Sequence, residues 1–341
     1  MKKINLFLLA VMALTACTKQ QTTGIHLENL DTTAVAQNDF YQYACGGWMK
    51  NNPIPDEYSR FGSFDKLGLS NLEQVNGLIA DIAAGTHKMG SIPQKIGDVY
   101  NLSMDTARRN QEGITPVLPV LQEIDNVTDK AQWSEVLGKA MDYGLWAMYV
   151  DADAMNSSMN ILNEYQAGFA LSQKDYYIDE DEHTKHIRAE YLKHVEKMFE
   201  LYGQANAAEK AATVLRLETR LANAALSNVE LRDPVANYNK MSVEELQKLV
   251  PEVDWKVYFA GLNIAPDSLS VGQVRHLQEA GKMLAEESLE DMKTLFTWQV
   301  IDGSADFLTE EIFMQNFEFY GRILSGRQEP TPLWKRAVAM V

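Results

Sequence analysis

The sequence has little cysteine: two residues in 341, Cys17 and Cys45. Cys17 directly follows an apolar N-terminal run, where a cysteine is better suited to covalent modification than to a disulfide. Cys45 then has no disulfide partner in its own chain. The stability of the folded chain must then come from a packed core. The chain can build one, because 46% of its residues are apolar and its length suits one large domain or two moderate ones.

Positive charge is also scarce. Lysine and arginine number 31 against 47 acidic residues, for a net charge of −16. Nucleic-acid phosphates require a basic surface, so this balance argues against DNA or RNA, and we predict no nucleic-acid partner. The charge does not decide between a peptide and a sugar as ligand.

The common catalytic motifs are missing as well. The sequence contains no G-x-x-x-x-G-K, no G-x-G-x-x-G, no G-x-S-x-G and no H-E-x-x-H. Cys45 lies between Ala44 and Gly46 with no basic neighbour in sequence that would favour a thiolate, so we expect a packed, inert thiol. The residues alone therefore identify no catalytic group, and we predict none in this chain.

The N-terminus is typical of an export signal. Lys2 and Lys3 precede an uncharged apolar run, Ile4 to Leu14, which is too short to span a bilayer, where about 20 residues are needed. Leu-Thr-Ala-Cys at 14–17 resembles the lipobox of bacterial lipoproteins. We therefore predict a signal peptide at 1–16, a lipid on Cys17, and a flexible tether over 17–37 that is rich in Thr, Gln and Asn. The protein would be a membrane-anchored lipoprotein of the periplasm or cell envelope, on the outer membrane or cell surface.

Apolar residues from about residue 66 onward recur with helical spacing. One run ends at Gly85, and a second begins near Pro93. Partial alternation around Asn156-Ser157-Ser158 instead predicts a small β-hairpin with its turn there. The pattern predicts a mainly α, multi-helical lobe, in which later helices cover 182–202, 205–228, 243–250, 271–301 and 306–325.

One helix carries candidate metal ligands. His183, His186, Glu190 and His194 fall within roughly 80° of arc on one face, where neighbours could share a metal. The apolar stripe of this helix centres about a quarter-turn away, which places the histidines on its solvent flank beside two lysines. We therefore interpret these residues as a solvated or capping helix face and predict no metal site. The alternative is that the face from His183 to His194 binds zinc, which would be retained after desalting and lost on His186→Ala.

Five blocks, in order, are similar to the N-terminal half of the neprilysin and endothelin-converting-enzyme family of zinc metalloendopeptidases, including its bacterial endopeptidase O type. The opening block is the most specific. The blocks are DFYQYACGGWMKNNPIPDEYSRFGSFD at 39–65, ALSQKDYYID at 170–179, YLKHVEKMFELYG at 191–203, LETRLANAAL with VELRDPVANYNKMSVEELQKLVPEVDW at 217–255, and NFEFYGRILSGRQEPTPLWKRAV at 316–338.

The resemblance implies a thermolysin-like catalytic half, in which H-E-x-x-H and a downstream glutamate bind zinc. This sequence has no such motif and ends on the uncapped apolar run TPLWKRAVAMV, so we expect a fragment that is inactive alone. The resemblance assigns 38–341 to the helical lobe that gates access of short peptides, with 38–68 and 326–341 as segments reaching the catalytic half. The implied partners are peptide substrates, that catalytic half with its zinc, and the membrane.

The resemblance also suggests substrate-binding residues. The arginine matching Arg60 contacts the C-terminal carboxylate of the substrate in this family, and Phe64 and Asp65 match neighbours that shape the same subsite. An arginine suits this task because its planar fork can bind a carboxylate through two hydrogen bonds. Some family members have a second arginine where Gly68 stands here, so selection for a free C-terminus would be weaker. An ordinary structural ion pair is the alternative role for Arg60.

Two hypotheses of function follow. In the first, the chain is the substrate-gating N-terminal domain of a membrane-anchored zinc endopeptidase that hydrolyses short peptides. In the second, it is a non-catalytic, helical peptide-binding or scaffold lipoprotein.

Overall fold

The computed structural model describes residues 26–140 and 143–341. The chain divides into two compact units, Met1–Gly68 and Leu69–Val341. The predicted signal peptide and Cys17 lie outside the described residues. Within the described residues, no helix is both long and apolar enough to cross a membrane.

The predicted mainly α fold with a small β-hairpin is confirmed. The helices are α1 Phe40–Asn51, α2 Ser63–Ala84, α3 Ile92–Met104, α4 Thr106–Glu112, α5 Leu118–Asp125, α6 Trp133–Lys139, α7 Asp175–Ile178, α8 Glu182–Leu201, α9 Ala207–Ala224, α10 Val243–Leu249, α11 Trp255–Gly261, α12 Val274–Glu286, α13 Leu289–Ser304, α14 Glu310–Asn316 and α15 Leu333–Met340. Short 3-10 turns cover Leu27–Asn29, Thr115–Val117, Lys130–Gln132, Glu230–Arg232 and Ala305–Phe307, and Phe317–Ile323 is π-helical.

Several helix predictions hold because local capping sets the ends. The predictions for 182–202, 205–228 and 243–250 match α8, α9 and α10 to within four residues. Asp181 accepts a hydrogen bond from the backbone N–H of Thr184 and so starts α8. Gly85 follows the last residue of α2, as predicted.

The predictions for 271–301 and 306–325 as single helices are wrong. The first range contains two helices, α12 and α13, with Ser288 between them. Ser288 has an extended backbone, and its side chain accepts a hydrogen bond from Asp291 N–H, so it caps the start of α13. In the second range, Thr309 caps α14 in the same way, and the π-helical turn then places Phe317 and Phe319 in the interior.

The hairpin belongs to a four-stranded sheet with strand order β1-β2-β4-β3. Its strands are β1 Trp146–Asp153, β2 Asn156–Gln166, β3 Asn239–Ser242 and β4 Ser268–Val271. β1 pairs antiparallel with β2, β2 parallel with β4, and β3 antiparallel with β4. β3 and β4 were not predicted, because four residues carry too little alternation to reveal a strand.

The predicted position of the hairpin turn is wrong. Asn156, Ser157 and Ser158 lie in β2, and the turn falls two residues earlier. Asp153 determines this place: its Oδ1 accepts a hydrogen bond from Met155 N–H at 2.9 Å. Lys240 and Tyr238 also bind this buried carboxylate, at 2.9 and 2.7 Å, and lower its pKa to about 2. A local hydrogen bond and two contacts distant in sequence therefore act together at the turn.

A buried carboxylate, Glu218 on α9, joins the central elements of the unit Leu69–Val341. Its Oε2 accepts hydrogen bonds from the hydroxyls of Tyr191 on α8 and Tyr177 on α7, at 2.7 and 3.0 Å. Its Oε1 accepts one from Ala170 N–H at 3.2 Å. Trp298 on α13 completes the network, because its indole N–H donates to the Tyr191 hydroxyl at 2.9 Å. The network links four separate segments of the chain.

The helices α6 and α11 approach each other at two glycines. A side chain on Gly138 would collide with the backbone carbonyl of Tyr258, and one on Gly261 would lie 2.7 Å from the backbone of Gly138. Contact at this distance requires that both positions lack a Cβ atom. The pair Gly138 and Gly261 therefore sets the spacing of these helices.

We expect Gly138→Ala to destabilise the protein by about 1–3 kcal/mol, because the added methyl group overfills a packed contact. The matched control is Gly77→Ala, at an exposed position of α2 where a Cβ meets nothing within 4 Å. That change should stabilise the protein by up to about 1 kcal/mol, since alanine favours the helix. Urea unfolding followed by circular dichroism measures both, and shifts of the same sign would contradict this account of the glycine contact.

Burial raises the pKa of Glu218 to about 8, from 4.5 for an ordinary carboxyl, despite the tyrosine hydrogen bonds that lower it. Between these two values the folded protein holds a proton that the unfolded chain releases. The stability contributed by Glu218 is therefore fully present below pH 4.5 and is lost as the pH rises through 8.

The free energy of unfolding should therefore decline as the pH rises across this window. We expect Glu218→Gln to make that decline shallower by up to about 1.4 kcal/mol per pH unit. Urea unfolding at pH 5, 6, 7 and 8 measures that decline. Glu209→Gln, which changes an exposed carboxyl on the same helix, is the matched control. An unchanged decline in Glu218→Gln would show that this carboxyl is already ionised in the folded protein.

Candidate functional site

The segment that carries the predicted substrate residues begins at α1, in the unit Met1–Gly68. Gly46 and Gly47 allow residues 27–31 to pack against this helix: a side chain on Gly46 would lie 2.6 Å from Cβ of Asp31, and one on Gly47 would collide with the Glu28 carbonyl. Asp31 N–H donates to the Tyr43 carbonyl at 2.8 Å. The paired glycines therefore make a backbone contact, and the described end of the predicted tether is folded against α1.

Aromatic packing holds the chain that follows α1. The Phe61 ring stacks on Trp48 with centroids 6.2 Å apart and meets the edge of Tyr58 at 5.3 Å. The Asn52 side chain donates to the Trp48 carbonyl and accepts from Lys66 Nζ, both at 2.8 Å. These contacts position the backbone on both sides of Arg60.

Asp65 organises the start of α2. Its Oδ2 accepts a hydrogen bond from Gly62 N–H at 2.8 Å. Gly62 directly precedes the helix, so Asp65 supplies the return half of a capping box, in which an acidic side chain in the first turn satisfies a backbone donor. An acidic residue here also suits the positive end of the helix dipole. Asp65 thus positions this loop through its own backbone.

Arg60 and Phe64 point outward from this organised loop. The Phe64 side chain is 86% exposed, although a large aromatic group normally gains free energy from burial. Arg60 is exposed, and no described residue forms an ion pair with it. Gly68, where the resemblance would allow a second arginine, faces open space, so a side chain would fit there. The loop therefore presents a cation and an aromatic ring four residues apart.

Cys45 lies on α1 and is half-buried, with a free thiol. The expectation of a packed thiol is met only partly, because the side chain keeps some contact with solvent.

The interpretation of the histidine helix as wholly solvated is wrong for one residue. His183 and His186 are exposed, but His194 is buried, stacked on Phe319 with ring centroids 5.0 Å apart and edge-on to Trp298 at 5.7 Å. Burial lowers the pKa of His194 to about 3, so this ring is neutral at pH 7. The error arose because α8 packs on two sides, against α9 and also against the later π-helical segment.

Metal binding can be tested on the donor groups. Among residues 26–140 and 143–341, no three His, Cys, Asp or Glu side chains lie close enough together to hold a metal ion. These residues do not fit the zinc site of the implied catalytic half.

The sequence interpretation missed the buried acids. Asp302 lines a cavity of about 460 Å³, and burial raises the pKa of its carboxyl to about 7. Gln299 shapes the same cavity by accepting from Gly144 N–H at 2.8 Å. Among the described lining residues there is no histidine, cysteine, lysine or arginine that could act with Asp302. The sequence did contain a signal for such buried acids, namely an acidic residue within the apolar stripe of a helix. Glu218, between Leu217 and Leu221, is an example.

Comparison with known proteins gives consistent matches. The model of peptidase family M13 matches residues 36–341. Bovine (Bos taurus) endothelin-converting enzyme 1 is 24% identical over 334 residues, which are 93% of this chain and 44% of that protein. Mouse (Mus musculus) endothelin-converting enzyme-like 1 is 30% identical over 325 residues, 89% of this chain and 42% of that protein.

Solved structures agree in fold. The zinc metalloprotease Zmp1 of Mycobacterium tuberculosis, in complex with an inhibitor, superposes with a TM-score of 0.88 at 30% identity, covering 93% of this chain and 49% of that one. PepO from Lactobacillus rhamnosis has a TM-score of 0.75 at 20% identity, covering 90% and 49%, and shares the fold.

The chain spans less than half the length of these relatives. The matched region nevertheless covers nearly all of the present sequence. The chain therefore belongs to peptidase family M13, the neprilysin family of zinc metalloproteases, and corresponds to the N-terminal portion of its members.

Proposed function

We propose that this chain is the substrate-gating N-terminal part of a membrane-anchored zinc metalloendopeptidase that hydrolyses short peptides. The observation that carries the proposal is the family match over residues 36–341, together with the close superposition on a zinc metalloprotease. The zinc ligands and the catalytic groups would belong to a second half outside this sequence. This chain would bind and position the peptide.

Exposed apolar side chains on α3 and the turn before it support a further protein partner. Met89 and Ile92 are 87 and 74% exposed. Clustered exposed apolar groups of this kind mark interaction surfaces in soluble proteins. We assign this face to contact with the catalytic half.

We assign recognition of the peptide C-terminus to Arg60. Its guanidinium is exposed and has no ion-pair partner among the described residues, and its backbone is held by the packing of Phe61. Phe64 would contact an apolar side chain of the peptide. Asp65 would act indirectly, by holding the loop through Gly62.

The test is peptide hydrolysis by the full-length protein, with and without a zinc chelator. Hydrolysis should require zinc, and Arg60→Ala should raise KM about tenfold for peptides with a free C-terminal carboxylate, because charge-assisted hydrogen bonds are lost. KM for the matching C-terminal amides should change little.

The matched control is Lys66→Ala, which removes a nearby cation that binds Asn52. Lys66→Ala should change KM by the same factor for the free-acid peptide and for its C-terminal amide. An equal loss for both peptides in Arg60→Ala would assign Arg60 a structural role instead. No hydrolysis under any condition would favour the alternative of a non-catalytic, peptide-binding or scaffold lipoprotein.

We also propose a lipid anchor on Cys17, which places the protein in the bacterial cell envelope, on the outer membrane or cell surface. The support is the order of charge, apolar run and cysteine at residues 2–17. Cys17→Ser should abolish metabolic labelling by a fatty-acid analogue and release the protein from membranes, because each buried methylene contributes about 0.8 kcal/mol to anchoring. Cys45→Ser is the control and should retain the label. Labelling that survives in Cys17→Ser would contradict the anchor.

A further inference from the structure

A second cavity, of about 420 Å³, lies in the unit Leu69–Val341 between the end of α3, α4, the 3-10 turn Ala305–Phe307 and α15. Much of its wall is apolar. The apolar lining residues are Leu102, Phe307, Leu333, Ala337, Ala339 and Met340. Three arginines, Arg108, Arg109 and Arg336, line the same space.

The three arginines differ in their partners. Arg108 is satisfied, because its Nε donates to Glu112 at 2.7 Å. Arg109 and Arg336 form no ion pair with any residue in 26–140 or 143–341, and the Nε of each is buried without a hydrogen-bond partner. The Arg336 guanidinium lies 3.7 Å from the ring centroid of Phe313, which holds it over the aromatic face.

This arrangement of charge is unfavourable unless an anion joins it. Burial lowers the pKa of Arg336, and the charge of Arg109 lowers it further, while Glu310 and Asp306 act in the opposite direction. Elsewhere in this unit a partly buried arginine is fully paired: Arg220 contacts Glu279, Glu286 and Glu287. A chain with net charge −16 has abundant carboxylates, yet none of those in the described ranges 26–140 and 143–341 forms an ion pair with Arg109 or Arg336.

We propose that this cavity binds a carboxylate that carries an apolar group, with Arg109 and Arg336 holding the carboxylate and the apolar wall holding the rest. A guanidinium fork matches the planar carboxylate through two hydrogen bonds. The volume suits a small ligand. The C-terminal residue of a peptide and a fatty acid both supply this chemistry.

The rim favours a single negative charge. Glu112 and Asp306 also line the cavity, and both would repel a dianion such as a phosphate monoester more strongly than a carboxylate. Asp306 is held in place by the Asn316 amide, which donates to its Oδ1 at 3.0 Å. The charge balance of the cavity therefore selects a monoanion.

Isothermal titration calorimetry of the full-length protein tests the proposal with two pairs of probes: N-acetyl-leucyl-leucine against its C-terminal amide, and decanoate against 1-decanol. At least one acid should bind about tenfold more tightly than its neutral partner, because the neutral probe leaves both guanidinium groups unpaired. Tighter binding of the dipeptide or of decanoate identifies which source fits. Equal binding of acid and neutral probes, or no binding of either acid, overturns the proposal.

Variants locate the binding. Arg336→Met and Arg109→Met keep the aliphatic stem and should each weaken binding of the acid about tenfold. Arg108→Met is the matched control on the neighbouring residue and should change binding less than twofold, since Arg108 already pairs with Glu112. Arg60→Ala should retain binding, which separates this cavity from the proposed substrate contact. If Arg60→Ala loses binding of the acid and Arg336→Met retains it, the assignment to this cavity is overturned. The comparison of probes on the unaltered protein remains valid even if a variant fails to fold.

Discussion

The helical unit depends on the buried carboxyl group of Glu218 and the hydrogen bonds that it accepts. A carboxyl group with no solvent contact is costly unless hydrogen bonds satisfy it, and here two tyrosine hydroxyls and one backbone N–H do so. These donors lie 27 to 48 residues before Glu218 in the sequence. The observed packing of α7, α8 and α9 brings all of these donors to Glu218, so the carboxyl group adds directional hydrogen bonds to the hydrophobic contacts.

In the loop around Arg60, a restrained backbone carries exposed side chains. Backbone contact at Gly46 and Gly47, ring packing at Phe61 and the cap formed by Asp65 restrain the chain in succession. Side chains held on a restrained backbone lose less conformational entropy when a ligand binds. The exposure of Phe64 carries a cost in the isolated unit that contact with a peptide or protein would offset.

Helix interiors and helix starts could be predicted from the sequence because both depend on residues close together in the chain. The strands β3 and β4, the turn of the hairpin and the burial of His194 could not. Each of them depends on a partner more than twenty residues away: Asp153 on Lys240, Leu269 on Leu162, and His194 on Phe319. Local periodicity carries no information about such partners. The sequence therefore predicted one buried face on α8, where the structure has two.

The sequence by itself determined the helical class, the acidic character and, through five ordered motifs, the family. It also contained Arg60, Phe64 and Asp65 in the stretch that the structure organises, because a motif keeps neighbouring residues together. Only the tertiary structure decided that Asp65 binds its own backbone, that Glu218 is enclosed, and that Arg109 and Arg336 line one cavity although more than two hundred residues separate them. Charge and burial at such sites result from packing between distant elements, which no local pattern records.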